Sequence, residues 1–380
     1  MVAQTLDGML EDGFTRRMAE EYLGVLKWER DCGLFTPEQV EWAHSRGFTA
    51  ESVCSYDGFG KDLSLYLSDY DYYRLWPLNS WQRIWINNKL TLKYMLGGTE
   101  FDRYLPEYYY YTAGEKLLPL MDGNADNTVQ GFLGLLREKG RFACKPCNGF
   151  ESRGFHELHA SQDAFFIDGK ETTEGGIGQF IAANPNYVFT EYIVPEESLA
   201  AIDPLIHTLR LLVVNPDGMN PEPVADYLRF GMKTAGGNES ANYRPPTEAD
   251  ICSYNATVDL ATGTYGNGKI VYANRVVDAP VHPDSKVLVE GELPFWDDVL
   301  DIAHRLSLRL CPLSFMGFDI GITPDGPKIM EINSHSGVSY LQIFKPLYAD
   351  EHAAAFLRER LAEIDALDAE GRERRNRISR

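Results

Sequence analysis

The stretch Gly317-Phe-Asp-Ile-Gly-Ile-Thr-Pro-Asp-Gly-Pro-Lys-Ile-Met-Glu-Ile-Asn-Ser-His-Ser-Gly337 holds two apolar, β-branched runs around Pro324-Asp325-Gly326. A proline followed by a glycine between such runs predicts a hairpin with a three-residue loop, which sets Thr323 opposite Pro327. Equal steps outward then place Asp319 opposite Glu331, and the two-residue period of a strand adds Asn333 to the same face. Phe318, Ile320, Ile322, Met330 and Ile332 fall on the other face, toward a core. Opposed like charges cost about 0.2 to 1 kcal/mol per pair unless a positive charge lies between them. Two carboxylates and an amide oxygen form a hard-oxygen set suited to Mg²⁺, which keeps its remaining positions for water and phosphate oxygens.

Working outward, the next glycine-rich stretch is Arg141-Phe-Ala-Cys-Lys-Pro-Cys-Asn-Gly-Phe-Glu-Ser-Arg-Gly154, a strand that ends near Lys145 and runs into a glycine-bounded loop. Backbone N–H groups in such a loop approach phosphate oxygens closely, and the lysine adds a fixed positive charge. It is not a P-loop, because the lysine precedes the glycines. Cys144 and Cys147 have redox-pair spacing but no second pair to complete a zinc site, and His156-Glu-Leu-His159 misses the spacing of a zinc-protease helix.

The pattern elsewhere is mixed. Thr36-Pro37-Glu38-Gln39 and Thr49-Ala50-Glu51 mark helix starts in the first sixty residues. Residues 83–96 have helical periodicity, with Asn87 or Asn88 as a start, and Ser55–Trp81 is read as packing surface and connector. Strands are expected at 105–112, where the tyrosine run is buried, and at 141–145, 187–193, 208–215, 224–232, 253–260 and 270–277. Helices are expected up to about residue 183 and at 296–310, and the last thirty residues read as a helix followed by a charged tail. Pro245-Pro246 marks Ser240–Asp250 as an irregular loop.

The chain has 380 residues, 44% of them hydrophobic, which suffices for two or three packed subdomains. No apolar run reaches the roughly 20 residues that span a bilayer, and the acidic amino terminus lacks a signal-peptide apolar core, so a cytoplasmic setting is expected. With 56 acidic against 36 basic residues and a net charge of −20, nucleic-acid and anionic-membrane binding are excluded as general functions. Six cysteines scattered over a long chain read as reduced thiols.

The order Lys89, Lys145, Glu191, Arg210, Asp319, Glu331, Asn333, carried by "INNKL", "FACKPCNGFESRG", "FTEYIVPEES", "IHTLRLLVV" and the opening hairpin, resembles the ATP-grasp superfamily. Within it the chain is most similar to the sugar-transfer associated branch, akin to α-L-glutamate ligases, over roughly residues 85 to 345. The resemblance implies an α+β ATP-grasp fold whose two subdomains clasp ATP. The expected divisions are a helical region at 1–115, a small subdomain at 116–195, a large subdomain with the metal site at 196–348, and a terminal helix and tail at 349–380. It implies that Lys89 and Lys145 hold the phosphates, with residues 148–154, including Gly149, Arg153 and Gly154, as a lid. Glu191, Tyr192 and Ile193 would line the adenine hinge and Glu197 would reach the ribose. Asp319, Glu331 and Asn333 would bind one or two Mg²⁺ ions, with Mn²⁺ as a substitute.

Arg210 would face the reacting phosphoryl group, with Arg229 and Lys233 beside it. Relatives often carry an Asn- and Gly-rich segment where this chain has residues 229–246, and a proline-containing loop where it has Ser334-His335-Ser336-Gly337. Both places fall where the acceptor should sit. The implied activity is ATP-dependent joining of a small-molecule carboxylate to an amine through an acyl phosphate. A phosphotransferase acting on a hydroxyl and a non-catalytic Mg-ATP-binding protein of a sugar-polymer pathway are the alternatives. A homodimer is left open.

Overall fold

The computed structural model describes residues 4–120, 126–149, 154–161, 164–232 and 251–378. Two antiparallel sheets face each other, and helices cover their outer sides. The first sheet contains β1 (Tyr108–Ala113), β2 (Lys116–Pro119), β3 (Arg141–Pro146), β4 (His156–Ala160), β5 (Phe165–Ile167), β6 (Lys170–Thr172) and β7 (Tyr187–Glu191), in the order β2-β1-β7-β3-β4-β5-β6. The division expected between residues 115 and 116 falls in the turn joining β1 to β2. The helix Val129–Lys139 crosses the back of this sheet, capped by the Thr128 side chain and closed by Gly140 at φ 80°. It buries Phe132, Leu133 and Leu136 against Tyr110, Phe142 and Phe189, and the ring of Phe132 meets the rings of Phe142 and Phe189 edge-on at 5.3 and 5.0 Å. Tyr109 and Tyr110 lie in that core, so the tyrosine run is a buried strand.

The second sheet contains β8 (Thr208–Val214), β9 (Glu222–Phe230), β10 (Ile251–Val258), β11 (Thr264–Tyr272), β12 (Val276–Asp278), β13 (Gly291–Glu292), β14 (Phe315–Thr323) and β15 (Gly326–Asn333). Its order is β12-β11-β10-β9-β8-β14-β15, with β13 on the edge of β11. The helix Trp296–Arg309 lays Val299, Ile302 and Leu306 on one face, against Phe318, Ile320, Ile322, Ile329 and Ile332. Strand β8 alternates accordingly: Leu209, Leu211 and Val213 enter this core, while Leu212 and Val214 point the other way. There they meet Phe356 and Leu357 of the helix Glu351–Asp365 and Leu67 and Leu75 from the amino-terminal segment. That covering stops short, so Thr208, Arg229 and Asp319 on the same face stay open toward the first sheet.

The opening hairpin departs from the expected register in an instructive way. Thr323 pairs with Gly326 and Ile322 with Pro327, so the loop has two residues, Pro324 and Asp325. The expected three-residue loop is corrected because Gly326 adopts φ 108° and enters the strand. Two pairs further on, the pairing jumps from Ile320–Ile329 to Asp319–Glu331, leaving Met330 as a bulge. The bulge returns Asp319 opposite Glu331, as expected, but it sends Ile329 to the core. Met330 is thereby released to the open face, and its expected core position is corrected.

The charged carboxyl-terminal run also differs from the expected tail. Residues Ala369–Ile378 form a helix, supported by the i,i+4 pairs Glu370–Arg374 and Glu373–Arg377. Arg375 docks it to the amino-terminal region by donating to the carbonyls of Arg74 at 2.8 Å and Trp76 at 2.6 Å. Burial, and then the nearby Arg74, pull its guanidinium down to about 10. No described helix is long and apolar enough to cross a membrane.

Candidate active site

The open face of the second sheet and the edge of the first enclose a cleft. Its lining combines the apolar Ala143, Ile193, Leu205, Ile206 and Met330 with the charged Lys89, Lys145, Glu191, Arg229, Asp319 and Glu331. A cleft that offers both apolar and charged side chains suits a small ligand with a flat ring and an anionic chain.

Lys89 begins the helix Lys89–Leu96, whose N-cap Asn88 accepts from the Thr91 N–H. Its own N–H donates to the carbonyl of Cys147 at 3.1 Å, tying the helix start to the end of β3. The side chain is buried; Nζ donates to Glu331 Oε1 at 3.3 Å and to the Gly149 carbonyl at 3.4 Å. Lys145 enters from β3, with the ring of Phe155 6.0 Å from its ammonium. Burial, reinforced by the charge of Lys89, draws the Lys145 ammonium down to about 8, against the opposing pull of Glu331 and Asp319.

The acids lie in a cross-strand row: Tyr227 on β9 pairs with Arg210 on β8, Arg210 with Asp319 on β14, and Asp319 with Glu331 on β15. Arg210 grips Asp319 by both edges, Nε to Oδ1 at 2.5 Å and Nη2 to Oδ2 at 3.0 Å. Its third nitrogen, Nη1, donates to Ser336 Oγ at 2.8 Å. Burial disfavours the guanidinium charge, but the Asp319 carboxylate together with Tyr227 and Glu331 outweighs it and holds Arg210 above its ordinary value. Asn333 donates Nδ2 to Asp319 Oδ2 at 3.3 Å, which brings its side-chain amide to the same cluster. Arg229 sits 5.2 Å from the rings of both Tyr227 and Tyr340 and donates to the Tyr227 hydroxyl at 2.5 Å.

Glu191 closes β7. Its carboxylate accepts from the Glu107 N–H at 3.1 Å and stands 3.9 Å from Lys328 Nζ. The Tyr192 ring lies 5.2 Å from the guanidinium of Arg141, and Ile193 is buried. A Cβ at Gly321 on the sheet floor would stand 3.1 Å from Ile193 Cδ1 and 3.3 Å from Ile206 Cδ1, so those side-chain ends would have to give by a few tenths of an ångström.

The cleft therefore gathers Lys89, Lys145, Gly149, Glu191, Tyr192, Ile193, Arg229, Asp319 and Glu331 from the sequence-based set. Arg210 and Asn333 reach it through Asp319. Glu197 is exposed on the helix Glu197–Ala200, whose cap is Glu196, and does not line the cleft. Gly154, at φ 74°, lies against Pro146 and the Tyr187 hydroxyl outside the lining. Arg153 and Lys233, with most of 148–154 and the Ser240–Asp250 loop, lie outside the described residues. Thr208, Phe155 and Met330 line the cleft without having been singled out for it; only the bulge exposes Met330, and no spacing in the sequence encodes it. Asp203, His282 and Asp284 also approach one another, but His282 Nε2 donates to the Gly231 carbonyl and its Nδ1 accepts from the Asp284 and Ser285 N–H groups.

Two ammonium groups facing two carboxylates across a cleft are the arrangement that a phosphate chain carrying a hard divalent cation bridges. Residues 164–349 match the model of the sugar-transfer associated ATP-grasp family. No curated protein matches the chain. Among solved structures, D-alanyl-alanine synthetase A from Vibrio cholerae O1 biovar eltor aligns at 13% identity over 78% of this chain and 68% of that one, with a TM-score of 0.39. The D-cycloserine synthetase DcsG aligns at 15% identity over 74% and 71%, with a TM-score of 0.40. The D-alanine–D-alanine ligase from Bacillus anthracis, complexed with ATP, aligns at 13% identity over 78% and 70%, with a TM-score of 0.36.

Proposed function

We propose that this chain, a member of the ATP-grasp superfamily through residues 164–349, is an ATP-dependent ligase that joins a carboxylate to an amine. The observation that carries the reading is the convergence of Lys89 and Lys145 on the Asp319–Glu331 pair inside one partly apolar cleft.

The residues present fit both implied partners. Lys89, buried at a helix start, and Lys145, half-buried on a strand, would take the phosphate oxygens of ATP. Asp319, Glu331 and the amide oxygen of Asn333 would hold Mg²⁺, which supplies neutralisation of the charge that develops on the transferring phosphate. The base would lie between Ile193, Leu205, Ile206 and Met330, with Glu191 and the backbone of Tyr192 and Ile193 along its edge.

No side-chain nucleophile is required. A substrate carboxylate attacks the terminal phosphorus of ATP, giving an acyl phosphate and ADP; the amine then adds to the acyl carbon, loses its proton and expels phosphate. Arg210, fixed on Asp319, and Arg229, fixed over Tyr227 and Tyr340, would hold the anionic groups in line. Their contribution is orientation and charge stabilisation, which is most of what phosphoryl transfer asks of a protein.

The test is ADP release from ATP with panels of carboxylates and amines, with the product identified by mass spectrometry. An amide dependent on both substrates supports the ligase reading. A phosphate ester would move the assignment to a phosphotransferase, and Mg-ATP binding without turnover would move it to a non-catalytic role.

A further inference from the structure

We propose that Ser336 is a positioning residue that fixes the guanidinium of Arg210 for phosphoryl transfer, and that the segment Tyr72–Asn87 holds Ser336 in place. The proposal rests on the ligase reading and adds a working part that the cleft lining does not reveal.

Ser336 is 1% exposed, and its hydroxyl accepts from Arg210 Nη1 at 2.8 Å, on the edge of the guanidinium away from the Asp319 contact. A guanidinium has five N–H groups. The three bonds to Asp319 and Ser336 leave two with no partner among the described residues, one on each terminal nitrogen. Asp319 alone would let the side chain pivot about the salt bridge; the third bond sets the direction in which those two N–H groups point.

The space for Ser336 exists because of Gly317. A Cβ at Gly317 would overlap both Cβ and Oγ of Ser336. Gly317 precedes Asp319 by two residues on the same face of β14. The strand therefore offers a gap where the serine enters and then the carboxylate, both aimed at one arginine.

The loop that delivers Ser336 is anchored from far upstream. Asn79, 3% exposed, uses both ends of its amide: Oδ1 accepts from the Ser314 and Phe315 N–H groups at 2.8 and 3.2 Å, and Nδ2 donates to the carbonyls of Phe315 at 2.6 Å and Ser334 at 3.0 Å. Asn87 Oδ1 accepts from the Ser334 N–H at 3.1 Å, and the Tyr72 hydroxyl donates to the His335 carbonyl at 3.2 Å. The His335 ring stacks on Tyr72 at 4.2 Å and meets Trp76 edge-on at 5.2 Å. The side chain next to Ser336 thus points into the amino-terminal segment and serves as the peg of the loop.

The experiment compares calorimetric binding of MgADP with that of MgADP plus aluminium fluoride, a mimic of the transferring phosphoryl group that needs no acceptor. Three full-length proteins are used: wild type, Ser336→Ala, and the pair Gly317→Ala with Ser336→Gly, which moves the Cβ across the gap without restoring a hydroxyl. Wild type should prefer the mimic by roughly 100-fold. Ser336→Ala should lose roughly 10- to 100-fold of that preference while its affinity for MgADP alone and its melting temperature stay near wild type. The paired variant should melt like wild type yet show the same loss.

Retention of the preference in Ser336→Ala, with wild type showing it, overturns the positioning role and leaves the ligase reading standing. Recovery of the preference in the paired variant also overturns it, since packing alone would then suffice. A wild type that shows no preference overturns both.

Discussion

Lys145 makes the ligand chemistry of the cleft measurable through protons. Its ammonium, desolvated in β3 and facing Lys89, titrates near 8 in place of 10.5. A polyphosphate bound against it would restore the charged form, so binding must draw a proton from solution. At pH 8 about half of the free sites hold the charge, and uptake should be roughly 0.5 proton per nucleotide, rising to about 0.9 at pH 9 and falling to about 0.1 at pH 7. Affinity should weaken about fivefold from pH 8 to pH 9, because only the charged fraction binds without that cost.

Stability runs the other way. Because the folded value lies below the unfolded one, the folded chain binds fewer protons between about 8 and 10.5, the penalty is full below 8, and it lifts as pH rises through that window. Lys145→Met should therefore stabilise the protein by up to about 3 kcal/mol at pH 7, with the gain fading toward pH 10. Calorimetry in two buffers of different ionisation enthalpy gives the proton count, and chemical denaturation gives the stability. A count near zero at pH 8, or the same count in wild type and Lys145→Met, would refute the reasoning.

Glu331→Ala should abolish Mg²⁺-dependent ADP release by more than the roughly 10- to 100-fold that outer partners of metal ligands cost, and turnover unaffected by the change would remove the metal site. Met330→Asp, placing a carboxylate among the apolar residues of the cleft, should weaken nucleotide binding at least about tenfold; fluorescence titration with an ATP analogue reads it. Glu29, 1% exposed, accepts from His44 Nε2 at 2.7 Å and from the Ala50 and Glu51 N–H groups at 2.8 and 2.9 Å. Glu29→Ala strands those donors and should cost about 2 to 4 kcal/mol in urea unfolding, with nucleotide affinity unchanged once the protein is folded.

Much of the second sheet was legible because its strands alternate cleanly and its hairpin carries acids on one face. The Asp319–Glu331 pairing emerged from a loop counted one residue too long and a bulge not foreseen, two shifts that cancel at that pair. Nothing local distinguishes them: in Lys328-Ile-Met-Glu-Ile332 both Ile329 and Met330 are apolar, and only packing against the helix Trp296–Arg309 decides which one enters the core. Lys89 and Lys145 were picked out by their order along the chain, and the structure brings both to the cleft. The grip of Ser336 on Arg210 was not, because it depends on a missing Cβ at Gly317, and on anchors at Asn79 and Asn87 more than two hundred residues upstream. Glu197 shows the opposite failure, an acid at a plausible sequence distance that a short helix turns to solvent.

The bulge has a consequence beyond register. Consecutive side chains on a regular strand look in opposite directions, yet Met330 and Glu331 both line the cleft. In the proposed reading one peptide unit would link the side chain under a flat heterocycle to an oxygen that meets a cation. Variants selected to accept a different heterocycle should drift in their choice among divalent ions, with every coordinating residue intact.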